Sequence, residues 1–361
     1  MTPDVNVRSL QFVRVFPWLR IGRAIGCALA PSQMVLGLLA ALLWWTVLRS
    51  FVFVSPSGEV SLVDSHVSIL WAPLLSQLKF TASPLSAVIS PWQRILATPD
   101  VWSFRPLLES AAAFVLWTVL GVAIARCAAV QFCRDQGPSF RRASQWSLQR
   151  CVTSLTSILT PLGGVLMIAL GMAVLALPGC VPGLGQLWLF AVAPVEALSG
   201  LVVASILLLL PVLWPLMVAA VAVDDADSFS AFSRSFSYVT THLWTTAALI
   251  LCNLVAAALA AAAAEGLSLG CELSLRWIIS HTLGAEDRDL LMRSAAWWLA
   301  QFRHGFAASL FWTHVTIVYL FLRESVDGTP LDTLAGYEDD TRFHEPYPVV
   351  GMPAVQGTEP T

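Results

Sequence analysis

The sequence predicts an all-α membrane protein, a polytopic transmembrane helix bundle of about six spans with interfacial amphipathic helices. Of its 361 residues, 57% are hydrophobic and 12% are charged, and the mean hydropathy is +0.72. Soluble domains have about 45–50% apolar and about 25% charged residues. The apolar residues also gather into runs of about 20, the length that crosses about 30 Å of hydrocarbon at about 1.5 Å per residue.

Six runs are predicted to span the membrane, because each is bounded by charged, polar, Pro or Gly residues. The third contains Pro161 and the fourth contains Pro211 and Pro215, so kinks or partial breaks are expected there. The predicted spans are residues 33–53, 109–131, 154–177, 197–223, 244–264 and 305–323. They form a transmembrane domain over 33–323, preceded by a basic arm at 1–32 and followed by a polar tail at 324–361 that we expect to be disordered.

The distribution of basic residues predicts the orientation. Twelve of the 20 lie in segments that would be inside if the N-terminus is inside, and nine of those twelve fall in the N-terminal arm and the 126–150 connection. Short segments rich in Arg stay in the cytoplasm, whereas the longer segments 54–108 and 265–304 can be translocated despite their charges. We therefore expect a bacterial inner-membrane protein with both termini in the cytoplasm.

Several segments have the composition of helices lying at the membrane surface. Residues 7–30 alternate Arg with large apolar residues, and 68–107 carry three Trp among Leu, Ile and Pro. Residues 140–152 and 229–243 are amphipathic and lead into the third and fifth spans, so we call them elbow segments. In the second of these, Phe229, Phe232, Phe236 and Val239 share one face, and Ser228 is positioned as an N-cap.

A short pattern recurs where the second and fourth spans end. Ala128-Ala129-Val130, Asp135 and Ser139-Phe140 are matched by Ala219-Ala220-Val221, Asp225 and Ser228-Phe229. The offset drifts from 91 to 89 residues. Two readings remain open: a parallel duplication of the kind that some transporters contain, or a chance match among common residues.

The runs at 122–131, 214–218 and 227–239 resemble a family of uncharacterised multi-pass membrane proteins of planctomycete-type bacteria. The last run is also distantly similar to the membrane domain attached to some glycerophosphodiester phosphodiesterases. The resemblance covers roughly residues 18–328 and implies architecture only. Asp225-Ala226 stands where the family has Gly-Ser, so a shared ligand site there does not follow.

The chain contains few residues that could carry chemistry. It has no phosphate-binding Gly-rich loop, no H-E-x-x-H, no C-x-x-C and no G-x-S-x-G, so we expect no catalytic, cofactor or metal site and no enzymatic activity. The candidate functional residues are His314 and Asn253 inside spans and Arg234 and Asp225 beside an elbow. For the two intramembrane residues the alternative is ordinary hydrogen bonding between helices.

Cys180 and Cys271 both fall outside in the predicted topology, where a disulfide between them could form. The spans carry almost no charge, which disfavours an ion-coupled carrier because such carriers place carboxylates in the membrane. We therefore expect a non-enzymatic scaffold or lipid-interacting protein whose partners are membrane lipids, other membrane proteins or copies of itself, and not nucleic acid. The alternative is a transporter or permease subunit for an uncharged or lipidic substrate.

Overall fold

The computed structural model describes residues 22–52, 84, 87, 88, 104–135, 137, 139–279 and 284–336. The regular structure of these residues is entirely helical, which confirms the predicted fold class. A 3₁₀ turn at Leu177–Cys180 follows the fourth helix. The helices are α1 (Arg23–Ala28), α2 (Pro31–Val52), α3 (Phe104–Arg134), α4 (Phe140–Ala176), α5 (Gly185–Asp224), α6 (Ser228–Thr241), α7 (Leu243–Ile279) and α8 (Ala285–Asp327). The predicted surface segments at 7–21 and most of 68–107 lie outside the described residues.

Five of these helices, α3, α4, α5, α7 and α8, are long and apolar enough to cross a membrane. Helix α2, which contains most of the first predicted span, has 22 residues and is apolar over Pro31–Val47. The chain is therefore an integral membrane protein, as its composition predicts.

The helices extend well beyond the predicted spans. Helices α4, α5, α7 and α8 have 37 to 43 residues, or roughly 55–65 Å at about 1.5 Å per residue. The predicted external segment 265–304 is wrong as a loop, because α7 continues to Ile279 and α8 begins at Ala285. A fall in hydropathy marks the edge of the bilayer and does not end a helix whose residues still favour helical structure. The prolines of α4 and α5 also lie within continuous helices, so neither predicted break is present.

Three helices form the centre of the bundle. In the most apolar stretch of each helix, 72% of α3, 61% of α5 and 89% of α8 is buried, against 6% of α4 and 22% of α7. Helices α3, α5 and α8 all contact one another. Since they are apolar and covered on most sides, they form the inner layer, and α2, α4 and α7 form an outer layer.

Pairwise contacts define the directions of the helices. Arg126 reaches Ala222 and Thr118 reaches Trp214, so α3 and α5 run parallel. Helices α3 and α8 are also parallel, and α2 is antiparallel to α8. The result is three antiparallel hairpins, α2/α3, α4/α5 and α7/α8, whose second members pack together.

Close approach of α2 to α8 depends on two glycines. A Cβ atom on Gly37 would overlap the backbone carbonyl of Gly305, and a Cβ on Gly305 would come within 2.8 Å of the backbone of Leu38. Small residues at such crossings let helix backbones touch in a membrane. Nearby, Thr313 donates a hydrogen bond to Gln33 at 2.9 Å and adds a buried polar contact to the same interface.

A short helical element starts each hairpin: α1 before α2, the segment 140–152 at the start of α4, and α6 before α7. We call all three elbows. Each hairpin ends with a left-handed residue at the same end of the bundle, which we call the elbow end. Asp135, Asp225 and Gly328 have φ angles of 52°, 55° and 64° directly after α3, α5 and α8. In each hairpin a residue of the preceding elbow bonds to the terminal Asp. These pairs are Arg23 with Asp135, Arg150 with Asp225, and Tyr238 with Asp327.

The structure therefore shows three elbow–hairpin units where the sequence pattern indicated two. Asp135 and Asp225 are structurally equivalent, as the pattern implied. The N-caps correspond at Ser139 and Asp227 and not at Ser139 and Ser228, because Asp227 accepts hydrogen bonds from the N–H groups of Phe229 and Ser230. Each repeat unit begins at the elbow and ends with an inner helix.

Helix α6 lies where the second elbow segment is predicted, although its buried face is Ala231, Ser235, Tyr238 and Val239. Phe229, which the sequence places on the apolar face, is 65% exposed. In a membrane protein an exposed Phe on an interfacial helix faces lipid headgroups and chains. The helix thus packs one face on the bundle and presents aromatic side chains on another.

Part of the predicted disordered tail is ordered. Helix α8 continues to Asp327, and the segment 328–336 folds back across the elbow end. Arg323 donates to the carbonyls of Pro330 and Thr333, both at 3.0 Å, and the N–H of Ala335 donates to Val223. Leu334 is 3% exposed. The segment has few apolar residues, but its backbone carbonyls accept hydrogen bonds from Nη2 of a buried arginine, a role that composition cannot reveal. Residues 337–361 lie outside the described part of the chain.

Candidate functional site: a cavity between α5, α7 and α8

A cavity of about 280 Å³ lies between one inner helix, α5, and the third hairpin, α7/α8. Each helix contributes four residues at helical spacing, so one stripe of each helix faces the cavity. The volume is close to the lower end of the range for small-molecule sites, about 300–1,000 Å³. The lining residues are Pro211, Val212, Pro215, Leu216, Ile250, Asn253, Leu254, Ala257, Phe311, His314, Val315 and Val318.

The cavity is at the position where the three-unit arrangement is incomplete. Helix α2 packs against the inner helix of the neighbouring unit, α8, and α4 packs in the same way against α3. By the same rule α7 would lie against α5, but α7 packs on α8 without a comparable approach to α5. The space left between them is the cavity. Leu254 on its α7 wall is 37% exposed, so this wall reaches the lipid-facing surface.

Asn253, a candidate from the sequence, lies on the α7 wall and is 6% exposed. Its amide nitrogen donates to the carbonyl of Leu249 at 2.7 Å. Because a carbonyl can only accept, this bond fixes the nitrogen toward the helix and identifies the other amide atom as the oxygen. That oxygen is buried and has no hydrogen-bond partner within the described part of the chain.

His314, the second intramembrane candidate, lies on the α8 wall and is 5% exposed. Its Nε2 atom is likewise buried without a hydrogen-bond partner among the described residues. The simple alternative for this histidine, a hydrogen bond between helices, is therefore not seen at Nε2. The structure brings His314 and Asn253 to one cavity, although they are 61 residues apart in sequence.

Two prolines, Pro211 and Pro215, lie on the α5 wall. They have no N–H, so each removes one α-helical hydrogen bond from α5. An unsatisfied buried polar group costs about 1–3 kcal/mol. The unsatisfied polar side-chain atoms of this cavity are those of Asn253 and His314, in a lining that is otherwise apolar.

The remaining sequence candidates lie at the elbow end in ion pairs. Asp225 forms a bidentate pair with Arg150, with Nη2 to Oδ2 at 2.5 Å. Arg234 pairs with Asp224 at 3.1 Å and is 47% exposed. These contacts hold α4 and α6 to the end of α5, which gives both residues a structural role.

A buried polar cluster that the sequence analysis missed surrounds Asp224. This carboxylate accepts hydrogen bonds from Arg323 and Tyr319, each at 2.5 Å, in addition to its pair with Arg234. Nearby, burial and the hydrogen bond to Asp327 raise the pKa of Tyr238. The sequence alone does not single out Asp224, because its partners Tyr319 and Arg323 in α8 are 95 and 99 residues away.

Two further cavities of about 400 and 430 Å³ lie at the elbow end. Asp135 and its partner Arg23 line the first, and Arg126, stacked 4.1 Å from the Trp146 ring, lines the second. Both are bordered by groups already engaged in ion pairs, hydrogen bonds or stacking. Nε1 of Trp146, in the second of these cavities, is also buried without a hydrogen-bond partner among the described residues. The smaller α5/α7/α8 cavity differs in having two such atoms, on Asn253 and His314, and no charged lining residue.

The described residues hold no cluster of three or more metal-ligating side chains. Cys180 and Cys271 are both free and exposed, so the predicted disulfide is not formed in the structure. Cys180 ends the 3₁₀ turn after α4, whereas Cys271 lies in the part of α7 that the sequence assigned to a loop. The disulfide was predicted because both cysteines were assigned to external loops, but Cys271 lies within a helix.

No known protein family, curated protein or solved structure matches the chain. The resemblance to planctomycete-type membrane proteins and to the phosphodiesterase membrane domain stays a prediction. The site is therefore interpreted from its own geometry.

Proposed function

We propose that this protein is a non-enzymatic, lipid-binding component of a bacterial cytoplasmic membrane, with both termini in the cytoplasm. The observation that carries the proposal is the α5/α7/α8 cavity, in which His314 and Asn253 have buried polar atoms without partners. A lipid whose polar group entered the cavity would satisfy these atoms, and its chain would cover the apolar lining. The described residues offer no cluster of acids, bases and nucleophiles in this cavity that would support catalysis.

The elbow end supports a passive role in the membrane. Ion pairs and hydrogen bonds join the three elbows to the inner helices. The segment 328–336 packs across the ends of the inner helices at the elbow end. Such cross-links favour one arrangement of the bundle. We therefore place the lipid-dependent part of the molecule at α7, the outer helix that lacks a close neighbour on α5.

Lipid transport is the second candidate, favoured by Pro211 and Pro215. They remove two backbone hydrogen bonds from α5 beside the cavity and make bending easier there. Lipid exchange between the leaflets of proteoliposomes separates the two functions. A binding protein leaves the exchange rate at that of protein-free vesicles, whereas a transporter increases it and loses the increase on Pro215→Ala.

The experiment that tests binding is extraction in native lipid followed by mass spectrometry of the purified complex. We expect a lipid retained at about one per chain by the wild-type protein. Ala257→Leu, which fills the cavity, should remove it, while Ala263→Leu on the exposed surface of the same helix should not. Equal retention by both variants, or none by the wild-type protein, would contradict the proposal.

A further inference from the structure

We infer that the α5/α7/α8 cavity selects a single-chain lipid alcohol, an uncharged amphiphile with a hydroxyl head. This inference rests on the proposed function, because it names the class of lipid that the cavity holds. It depends on the hydrogen-bonding capacity of the unsatisfied atoms and on the lack of charge in the lining.

The α7 wall requires a donor from the ligand. The free amide atom of Asn253 is an oxygen, since the nitrogen is committed to Leu249. A ligand whose head carries only acceptors, such as a methyl ester or ether, leaves this oxygen unsatisfied.

The α8 wall can donate a hydrogen bond to the oxygen of the same hydroxyl. Nε2 of a neutral imidazole is either a donor or an acceptor, according to the tautomer. With Nε2–H as donor, a hydroxyl oxygen accepts from His314 while its proton goes to Asn253. One hydroxyl therefore satisfies both Asn253 on α7 and His314 on α8, and this matches two polar residues in an otherwise apolar lining.

Charge and size exclude the common membrane lipids from this position. None of the cavity's lining residues, all of which belong to the described chain, is charged. A phosphate or ammonium head placed there would lose its hydration without an ionic partner, which is far more costly than burying a hydroxyl. At about 280 Å³ the cavity admits a small head and the start of one chain, with the rest of the chain in the bilayer.

The test compares geranylgeraniol with its methyl ether, which has the same chain and an ether oxygen but no donor. The full-length protein is placed in phosphatidylcholine nanodiscs, and binding of each compound is measured by native mass spectrometry. We expect the alcohol to bind at least about tenfold more tightly, the ratio that corresponds to about 1.4 kcal/mol. This comparison uses the wild-type protein, so it does not depend on the folding of a variant.

Variants then assign the discrimination to the cavity. Asn253→Leu should reduce the ratio of alcohol to ether affinity toward one. His304→Leu, on α8 but outside the lining, should leave the ratio unchanged. Equal binding of alcohol and ether by the wild-type protein would overturn the hydroxyl inference and leave the proposed function standing. If neither compound binds while a native lipid is still lost on Ala257→Leu, the hydroxyl class is wrong and lipid binding is right. If neither binds and no lipid co-purifies, both are wrong.

Discussion

Arg323 of α8 donates a hydrogen bond from Nη1 to Oδ1 of Asp224 of α5 at 2.5 Å, and their side chains are 2% and 10% exposed. Nη2 of Arg323 donates to the carbonyls of Pro330 and Thr333 in the segment 328–336. Further hydrogen bonds of this kind help to offset the cost of burying an ion pair. Here the pair joins two inner helices to the segment that covers them, so its loss would affect the whole elbow end.

Replacing one partner should be strongly destabilising. Asp224→Ala leaves Arg323 buried without its counter-ion, and we expect a loss of about 3–5 kcal/mol of unfolding free energy. Thermal unfolding in detergent measures the change. The matched control is Asp135→Asn, since Asp135 also ends an inner helix and pairs with an arginine, but is 76% exposed, and Asn tolerates its left-handed backbone. That variant should lose at most about 1 kcal/mol. Equal losses would contradict the account.

The α2/α8 crossing should tolerate no side chain at its closest point. In Gly37→Ala the new Cβ would overlap the carbonyl of Gly305, and overpacking of this kind costs about 1–3 kcal/mol or more. Gly163→Ala in α4 meets nothing within 4 Å, so it should stabilise the helix by about 0.5–1 kcal/mol. Opposite signs in the two melting temperatures are expected. A neutral Gly37→Ala would show that the helices are not in contact there.

The ordered segment after α8 makes a separate prediction. Leu334 is 3% exposed and belongs to the main apolar core, so Leu334→Ala should cost about 2–5 kcal/mol. Asp332→Ala, two residues earlier on the exposed side, should change stability by no more than about 0.5 kcal/mol. Denaturation monitored by tryptophan fluorescence distinguishes them. Equally small stability losses in the two variants would show that the segment does not pack on the core and belongs to a disordered tail.

The N-cap of α6 should make the stability of the protein depend on pH in the acidic range. Hydrogen bonds from Ser230 and from the backbone lower the pKa of Asp227 in the folded protein. A lowered pKa contributes stability above the unfolded value of about 3.9, and that contribution is lost as the pH falls through the folded value. Asp227→Ala should therefore be less stable than wild type at pH 7, and the difference should shrink in acid. Asp227→Ser keeps a cap without a titrating group, so a similar pH dependence in that variant would contradict the assignment.

Orientation can be tested by labelling. With both termini in the cytoplasm, Cys180 at the turn between α4 and α5 should react with a membrane-impermeant maleimide on spheroplasts. Gly137→Cys at the elbow end, in a chain whose native cysteines are serine, should react only after permeabilisation. The reverse pattern would invert the topology.

The sequence predicted the helical class, the apolar stretches of five long helices and the second elbow, because apolar runs and periodicity are local properties. It also predicted His314 and Asn253, since a polar side chain within an apolar run is visible without a structure. It did not predict that they share a cavity. That depends on α7 standing away from α5, a packing result that no local pattern encodes.

Other differences have the same origin. The third repeat unit was missed because Tyr238 and Gly328 stand where the other units have Arg and Asp. The cluster around Asp224 was missed because its donors Tyr319 and Arg323 lie on α8, far away in sequence. The loop assigned to 265–304 followed from hydropathy, which reports the bilayer edge and not the end of a helix.

The most direct test of the central claim is a cryo-EM map of the wild-type protein in nanodiscs made from native lipid. The account predicts elongated density between α5, α7 and α8, with its head about 2.7–3.2 Å from Nε2 of His314 and Oδ1 of Asn253. The same map of Ala257→Leu should lack this density. Helix α7 packed directly on α5 in the wild-type protein, with no cavity and no density, would contradict the account.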